Sequence, residues 1–209
     1  MPDLQQRGLH DAVVTRHPLV EAACGLARDL LGGLDGRWRH TQGVATRAAR
    51  VAPAVPAADR PVLVAAAWLH DIDYAQPLRR STFHPLDGAW YLQQSHWPEP
   101  LAGLVAHHWA ARFVAEVRSL TGLMLTFPAA RYAVGPVADA LTYADQTTGP
   151  DGQVMDVEDR LAEMLAGTGR TVRVPGHMRS GPRTSGRPCA APNNACVRRT
   201  EPCPVSARP

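Results

Sequence analysis

The chain contains no lysine, and all 22 of its basic residues are arginine. Together with the abundant Ala, Gly and Pro, this bias is typical of GC-rich coding DNA and indicates no particular function. Long apolar runs are missing too: the stretch 62–69 is far shorter than the ~20 residues that a helix needs to cross a bilayer. The first residues are polar and lack the apolar core of a signal peptide. We therefore expect a soluble, cytoplasmic protein with no membrane partner.

Regular polar–apolar alternation, the pattern of a half-buried strand, is also missing. Cysteine is scarce, with four residues, of which only Cys24 precedes residue 189. Cys24 lies in an apolar segment with helical spacing and is expected to be a small core residue. The even spacing of Cys189, Cys196 and Cys203 suggests a zinc site with His177, but no pair has the close spacing of a structural zinc site. We do not favour that interpretation.

The formal net charge of +3 is unevenly distributed. Residues 170–209 contain eight arginines and one acidic residue, which leaves 14 arginines and 18 acidic residues in 1–169. The first 169 residues are therefore mildly acidic, and we expect no nucleic-acid partner. After residue 169, Arg, Pro, Gly, Ser and Cys replace the apolar periodicity, which predicts a disordered tail over 170–209. A second hypothesis is that this tail is a frameshift product.

Residues 15–169 have the length of one domain, which follows a short lead-in over 1–14. Apolar residues at helical spacing predict seven helices in this domain. The predicted helices cover 18–31, 38–51, 59–73, 85–92, 98–109, 137–145 and 157–165. Because no strand pattern accompanies them, the predicted fold class is all-α.

Several predicted helices carry a polar residue on an apolar face. His40, His70 and Asp145 each share a face with apolar residues, and Asp71 follows His70 directly. Burying carboxylates without a partner is costly in free energy, so helices of this kind can converge only around a cation. Two imidazoles and two carboxylates can hold a divalent metal, and a metal can support hydrolysis. For any one of the histidines alone, a hydrogen-bonded core residue is the alternative.

The order His40, His70–Asp71, Asp145 resembles the HD-domain superfamily of metal-dependent phosphohydrolases. The resemblance covers about 38–146 and includes the local sequences Arg-His-Thr-Gln-Gly-Val-Ala and Leu-Thr-Tyr-Ala-Asp. It implies an HD-domain helical bundle in which these four residues bind a divalent metal (Fe, Mn, Mg, Co or Zn).

Further histidines are similar to those of the binuclear members, the symmetrical dinucleoside tetraphosphate hydrolases and the HD-GYP phosphodiesterases. His84, followed by Gly88 and Leu92, looks like the opening of a helix in those proteins. The resemblance implies a second metal ion held by His84 and one of the pair His107–His108. A histidine before Pro85 can also simply cap a helix.

Helical spacing favours His108 over its neighbour, because His108 shares a face with Leu101, Leu104 and Val105. His107 stays a candidate for metal or substrate contact, with a plain hydrogen-bonding role as the alternative.

The sequence departs from the family after His-Asp-Ile, where many members have Gly and then Lys, and where Asp73 and Tyr74 stand here. We expect Arg79, Arg80 or Arg112 to take over the phosphate contact of that lysine, since guanidinium binds phosphate oxygens through two parallel hydrogen bonds. Asp73 either adds negative charge near the metal or faces solvent.

For two further features we expect no role in the site. Asp87, one turn after His84, is expected to be exposed rather than to support the metal ligands. The turn 147–152, which follows Asp145, is expected to be a plain surface turn rather than a rim of the site.

The first functional hypothesis is a phosphohydrolase acting on a nucleotide or small phosphate ester through a metal-activated water. Asp71 and His70 are its expected catalytic residues, with Asp71 as the bridging ligand. An alternative is a di-iron HD-fold oxygenase, with which Tyr74 in place of lysine is compatible. A third hypothesis is a non-catalytic, metal-stabilised nucleotide-binding module.

Overall fold

The computed structural model describes residues 16–81, 83–109 and 111–167. The predicted lead-in over 1–14, the tail over 170–209 and its cysteines lie outside the described residues. Ten α-helices form in the described part of the chain. They are α1 Pro18–Leu31, α2 Asp35–Val51, α3 Arg60–Leu69, α4 His84–Gln94, α5 Glu99–His107, α6 Ala111–Val117, α7 Thr121–Met124, α8 Ala129–Tyr132, α9 Pro136–Gln146 and α10 Val157–Gly167.

Short 3₁₀ helices lie between α2 and α4. Among the described residues the only β pairing is an isolated bridge between Thr148 and Val154. The predicted all-α fold class is therefore confirmed.

Proline lies at the start of five helices, four of which lead to residues of the site. It occupies the first turn of α1, α3, α4, α5 and α9, where its missing N–H costs nothing and its fixed φ is already helical. Asp59 is the residue before α3, but its side chain makes no capping hydrogen bond to the helix.

Helix α3 is the centre of the fold. Every residue from Leu63 to Leu69 is fully buried, as expected for a helix that is apolar on all sides. It packs against α1, α2, α5 and α9. The helix ends at Leu69, which delivers His70 and Asp71 into the interior of the bundle. Cys24 is buried on α1, as predicted for a core residue.

None of the described helices combines the length and the hydropathy required to span a bilayer.

Candidate metal centre

Side chains from five helices meet at the C-terminal end of α3. They are His40 in the middle of α2, His70 and Asp71 directly after α3, His84 at the start of α4, His108 directly after α5 and Asp145 near the end of α9. All of them are buried except His84, which is half-buried.

The first group of ligand atoms belongs to His40, His70 and Asp71, and these atoms all lie within 4.8 Å of one another. Asp71 Oδ2 lies 3.3 Å from His70 Nε2 and 3.8 Å from His40 Nε2. Asp145 joins this group, with Oδ1 3.2 Å from His40 Nε2 and 3.9 Å from His70 Nε2. A buried set of imidazole and carboxylate donors at this spacing can hold a metal ion.

Asp71, His84 and His108 form a second group, again with ligand atoms within 4.8 Å of one another. Here Asp71 offers its other oxygen, since Oδ1 lies 3.7 Å from His84 Nδ1. The rings of His84 and His108 lie 5.2 Å apart between centroids, and the ring of His70 lies 5.4 Å from that of His108. Asp71 therefore stands between the two groups with one carboxylate oxygen toward each.

Backbone carbonyl groups orient three of the imidazole rings through Nδ1. These contacts are His40 to the oxygen of Gly149 at 3.1 Å, His70 to that of Ala67 at 2.8 Å and His108 to that of Val105 at 2.6 Å. Because a carbonyl oxygen only accepts hydrogen bonds, the network assigns the proton of each neutral ring to Nδ1. Nε2 is then left with a lone pair, which is the arrangement by which outer hydrogen bonds commonly orient metal-binding histidines.

Three buried polar atoms at the centre form no well-aligned hydrogen bond among the described residues: His70 Nε2, His84 Nδ1 and Asp73 Oδ1. Their nearest charged neighbours are Asp71 Oδ2, 3.3 Å from His70 Nε2, and each other, since His84 Nδ1 and Asp73 Oδ1 are 3.6 Å apart. Unpartnered buried polar atoms are costly and need an explanation. A divalent cation would supply one, since imidazole nitrogen and carboxylate oxygen both coordinate such ions. The residues present therefore fit a metal, although this donor set selects no single element.

The charges of the centre stabilise one another. Burial disfavours the charged form of His70, but the carboxylates of Asp71 and Asp145 outweigh it and raise its pKa to about 9. Burial likewise opposes ionisation of Asp71, whose pKa is nevertheless held well below its usual range by His70 and Arg37. For Asp145, burial is outweighed by the hydrogen bond and charge of His40 and the charge of His70, which lower its pKa to about 2. Both carboxylates are therefore ionised, as coordination of a cation requires, whereas His70 is protonated at pH 7 without metal and must release its Nε2 proton when a cation binds.

The pKa of His108 shifts in the opposite direction from that of His70. Burial and the neighbouring histidines His84 and His70 lower its pKa to about 4. It is therefore neutral near pH 7, which is the form of histidine that binds a metal.

Arg37 is a residue of the centre that the sequence analysis missed. Its Nη1 donates to Asp71 Oδ2 at 2.6 Å, and its guanidinium carbon lies 3.7 Å from the centre of the Tyr74 ring. The side chain keeps 30% of its surface exposed, so it reaches from the buried carboxylate toward solvent. Arg37 precedes His40 by three residues on α2, and this helical spacing was the signal that could have found it.

The three arginines predicted to contact phosphate are exposed and have other partners. Arg79 donates to the carbonyl oxygen of Tyr74 at 2.8 Å, and Arg80 donates to Gln94 Oε1 at 3.2 Å. The guanidinium of Arg112 lies 4.4 Å from the ring centre of Phe113. Within the described part of the chain, these contacts do not join them to the ligand atoms, and a role in phosphate binding stays a prediction.

His107 lies beside the centre but faces away from it. Its Nε2 lies 2.5 Å from the carbonyl oxygen of Phe127, in the loop before α8, whereas His108 turns into the second group of ligand atoms. The geometry of His107 is that of a hydrogen-bonding residue.

Asp87 differs from expectation, and the position of Asp73 decides between the two alternatives left open for it. Asp87 is buried, not exposed, and accepts hydrogen bonds from the backbone N–H groups of Arg80 and Ser81 and from the Ser81 hydroxyl. It thereby closes the loop that leads into α4. Asp73 does not face solvent: it is buried with Oδ1 3.6 Å from His84 Nδ1, and burial raises its pKa.

The turn 147–152 is more than a surface turn. Its Gly149 carbonyl is the partner of His40 Nδ1. Gly43 of α2 packs so closely on it that a Cβ at that position would lie 2.6 Å from the Cα of Gly152. Gly152 itself has φ +78°, a conformation that favours glycine. The turn is therefore fixed against α2 at the level of His40.

No protein-family model matches this chain, and neither a curated protein nor a solved structure was found to be similar to it.

Proposed function

We propose that this protein is a metal-dependent phosphohydrolase of the HD-domain type, acting on a nucleotide or another small phosphate ester. The observation that carries the proposal is the position of Asp71, which offers one oxygen to His40 and His70 and the other to His84. One carboxylate shared by two groups of histidines is the arrangement expected for a pair of metal ions. The order of these residues along the chain resembles that of the binuclear HD-domain enzymes.

His40, His70, Asp71 and Asp145 would hold one ion, and Asp71, His84 and His108 would hold another. Divalent metals, when bound, lower the pKa of water and polarise phosphoryl oxygens. The backbone contacts of Nδ1 keep three of the rings in one tautomer and one orientation, so little rearrangement is needed when the ligands engage.

Arg37 is the guanidinium best placed to receive a phosphate group. It contacts Asp71 directly, is partly exposed, and is oriented by the face of Tyr74. When Asp71 coordinates a metal, the Arg37 guanidinium still has N–H donors for a phosphate oxygen. It would then make the phosphate contact that the lysine makes in many family members. A phosphorylated small-molecule substrate and a cytoplasmic location without nucleic-acid partners remain predictions.

The test compares two acid-to-amide substitutions. Asp71→Asn keeps the shape of the side chain but removes the shared charge, so we expect metal content to fall and turnover on a panel of nucleotides and phosphate esters to drop at least about 100-fold. Asp139→Asn is the control, since Asp139 is exposed on the same helix as Asp145 and should leave both quantities within about twofold. Metal analysis of purified protein and steady-state kinetics measure the two. An Asp71→Asn protein with full metal content and full turnover would remove the proposal.

Tyr74 favours a second candidate, a di-iron oxygenase on the same fold. Its ring lies 5.3 Å from that of His84, where many phosphohydrolases of this type have a lysine. Iron as the bound metal, a mixed-valent EPR signal and substrate-dependent oxygen consumption would establish it in place of hydrolysis. Tight nucleotide binding with no product would instead indicate the non-catalytic module.

A further inference from the structure

A pocket of about 320 Å³ lies on the outer side of α2, where that helix meets the turn 147–152. Its polar lining includes Arg39, Gln42, Thr46, Arg47 and Arg50 of α2, with Asp151 of the turn opposite. The volume is at the lower end of the ~300–1,000 Å³ range of small-molecule sites. A ligand that fits there is small and polar.

The three guanidinium groups line one side of the helix because of their spacing. Arg39, Gly43, Arg47 and Arg50 follow one another at intervals of four, four and three residues, which places them along one helical face. Gly43 has no side chain and lets the turn approach between them. His40 belongs to the buried part of the same helix, so the pocket and the metal centre are separate sites on α2.

The positive charge of the pocket is only partly compensated. Arg39 is paired with Asp151 through Nη2 at 2.8 Å, and both side chains are more than half exposed. Arg47 has neutral partners, donating to Thr147 Oγ1 at 3.1 Å and to Tyr143 Oη at 2.7 Å. In the part of the chain that the structure describes, no carboxylate oxygen lies within ion-pair distance of Arg47 or Arg50.

Two uncompensated guanidinium groups beside a third that is weakly paired form a receptor for an oxyanion. Arginine binds phosphate oxygens through parallel N–H donors, and Arg47 is already oriented for this by the hydroxyl groups of Thr147 and Tyr143. We propose that this pocket binds a phosphate group, either as free phosphate or pyrophosphate or as part of a small phosphorylated metabolite. This site is independent of the proposed hydrolysis.

The test uses metal-free protein, prepared by chelation and dialysis, titrated with pyrophosphate in a calorimeter. We expect saturable binding by the wild type. Arg50→Gln should weaken it about tenfold, because one charged hydrogen-bond donor is lost, and Arg47→Gln/Arg50→Gln more strongly. Asp151→Asn should tighten it, since the competing carboxylate is removed. Arg131→Gln is the control, because Arg131 is an exposed arginine paired with Glu99 on another face, and we expect less than about a twofold change.

Three results would overturn the proposal, and each differs from a failure of the hydrolase proposal. Absence of saturable binding to the wild type, or equal affinity in Arg50→Gln and Arg131→Gln, overturns the proposal and leaves the hydrolase proposal untouched. Arg50 is exposed, so Arg50→Gln is expected to fold, and circular dichroism checks this. If Arg37→Gln abolishes the binding and Arg50→Gln does not, the anion binds at the metal centre and the pocket is not a site. Parallel titrations with phosphate and ribose 5-phosphate distinguish a free anion from a phosphorylated metabolite.

Discussion

His70 and His108 each bend back to the carbonyl oxygen three residues earlier, at the end of a helix. The last carbonyl groups of an α-helix have no N–H partner within the helix, and here the imidazole Nδ1–H supplies one. The same helix end carries the negative side of the helix dipole, which favours a nearby cation. A histidine placed at a helix C-terminus therefore satisfies the backbone with one nitrogen and leaves the other for a metal.

The neighbours His107 and His108 allow a sharp comparison. His108→Gln removes a ligand of the second group, and we expect the protein to lose metal from that group while keeping the first. His107→Gln should keep the full metal content and lose about 1 kcal/mol of stability, because only the hydrogen bond to Phe127 is removed. Metal analysis and thermal unfolding measure these effects. Equal metal loss in both variants would show that His107 also coordinates.

The sequence singled out His108, but for an incomplete reason. A helical wheel placed it on the inner face of a helix continuing to residue 109, whereas α5 ends at His107 and His108 is extended with ψ 145°. The side chain points inward because the chain turns there, and Trp109 follows with φ +45°. Periodicity contains no information on such a turn. Arg37 was missed for a different reason: its spacing from His40 places it on the same side of α2, but that spacing does not reveal its contact with Asp71, 34 residues away.

Helix α2 contacts the turn 147–152 through two glycines, and that contact should limit what the helix tolerates. Gly43→Ala would place a methyl group 2.6 Å from Gly152 Cα, and the backbone must shift. We expect a loss of about 1–3 kcal/mol of stability, measured by urea unfolding, and weaker metal binding because His40 loses its partner Gly149.

Gly25→Ala is the matched control in the interior of α1, where, apart from the adjoining backbone of α1, no atom of the described residues lies within 4 Å of the added methyl group. It should instead stabilise the protein by about 0.5–1 kcal/mol. If both substitutions change stability equally, the close contact between Gly43 and the turn does not fix the turn against α2.

Long helices with a clear apolar face were predicted within a few residues, as α1 and α9 show. The helices α6, α7 and α8 were not predicted, since they have seven, four and four residues, and two turns or fewer give no measurable period. The predicted helix over 59–73 is broken at His70, where the chain leaves the helix to place Asp71. Local pattern could not show this, because the geometry there is set by groups from other helices.

At the scale of the whole molecule, the stability of the metal-free protein depends on pH, because ionisable groups are buried together at the centre. The pKa of His70 is raised from 6.5 to about 9, so its contribution to stability is complete below about pH 6.5 and is lost as the pH rises through about 9. The pKa of Asp145 is lowered from 3.8 to about 2, so its contribution is complete above about pH 3.8 and is lost as the pH falls toward 2.

We therefore predict that the metal-free protein is most stable between about pH 4 and 6.5 and loses on the order of 3 kcal/mol toward pH 9 through His70. Urea unfolding of chelator-treated protein at several pH values measures this. His70→Asn should flatten the alkaline side of the profile. A saturating divalent metal should also restore stability there, by about 2.7 kcal/mol at a hundredfold excess over its Kd. A flat wild-type profile without metal would contradict the ionisation of His70.

His40 and Asp145 are separated by 105 positions along the chain and yet lie side by side. During synthesis on the ribosome, the first residue of this pair emerges long before the second. An ion bound early would have an incomplete set of ligands. The complete ligand set therefore forms only once α9 has left the exit tunnel and docked. The chain length at which nascent chains begin to bind metal tightly would then report when α9 docks, the last step of folding.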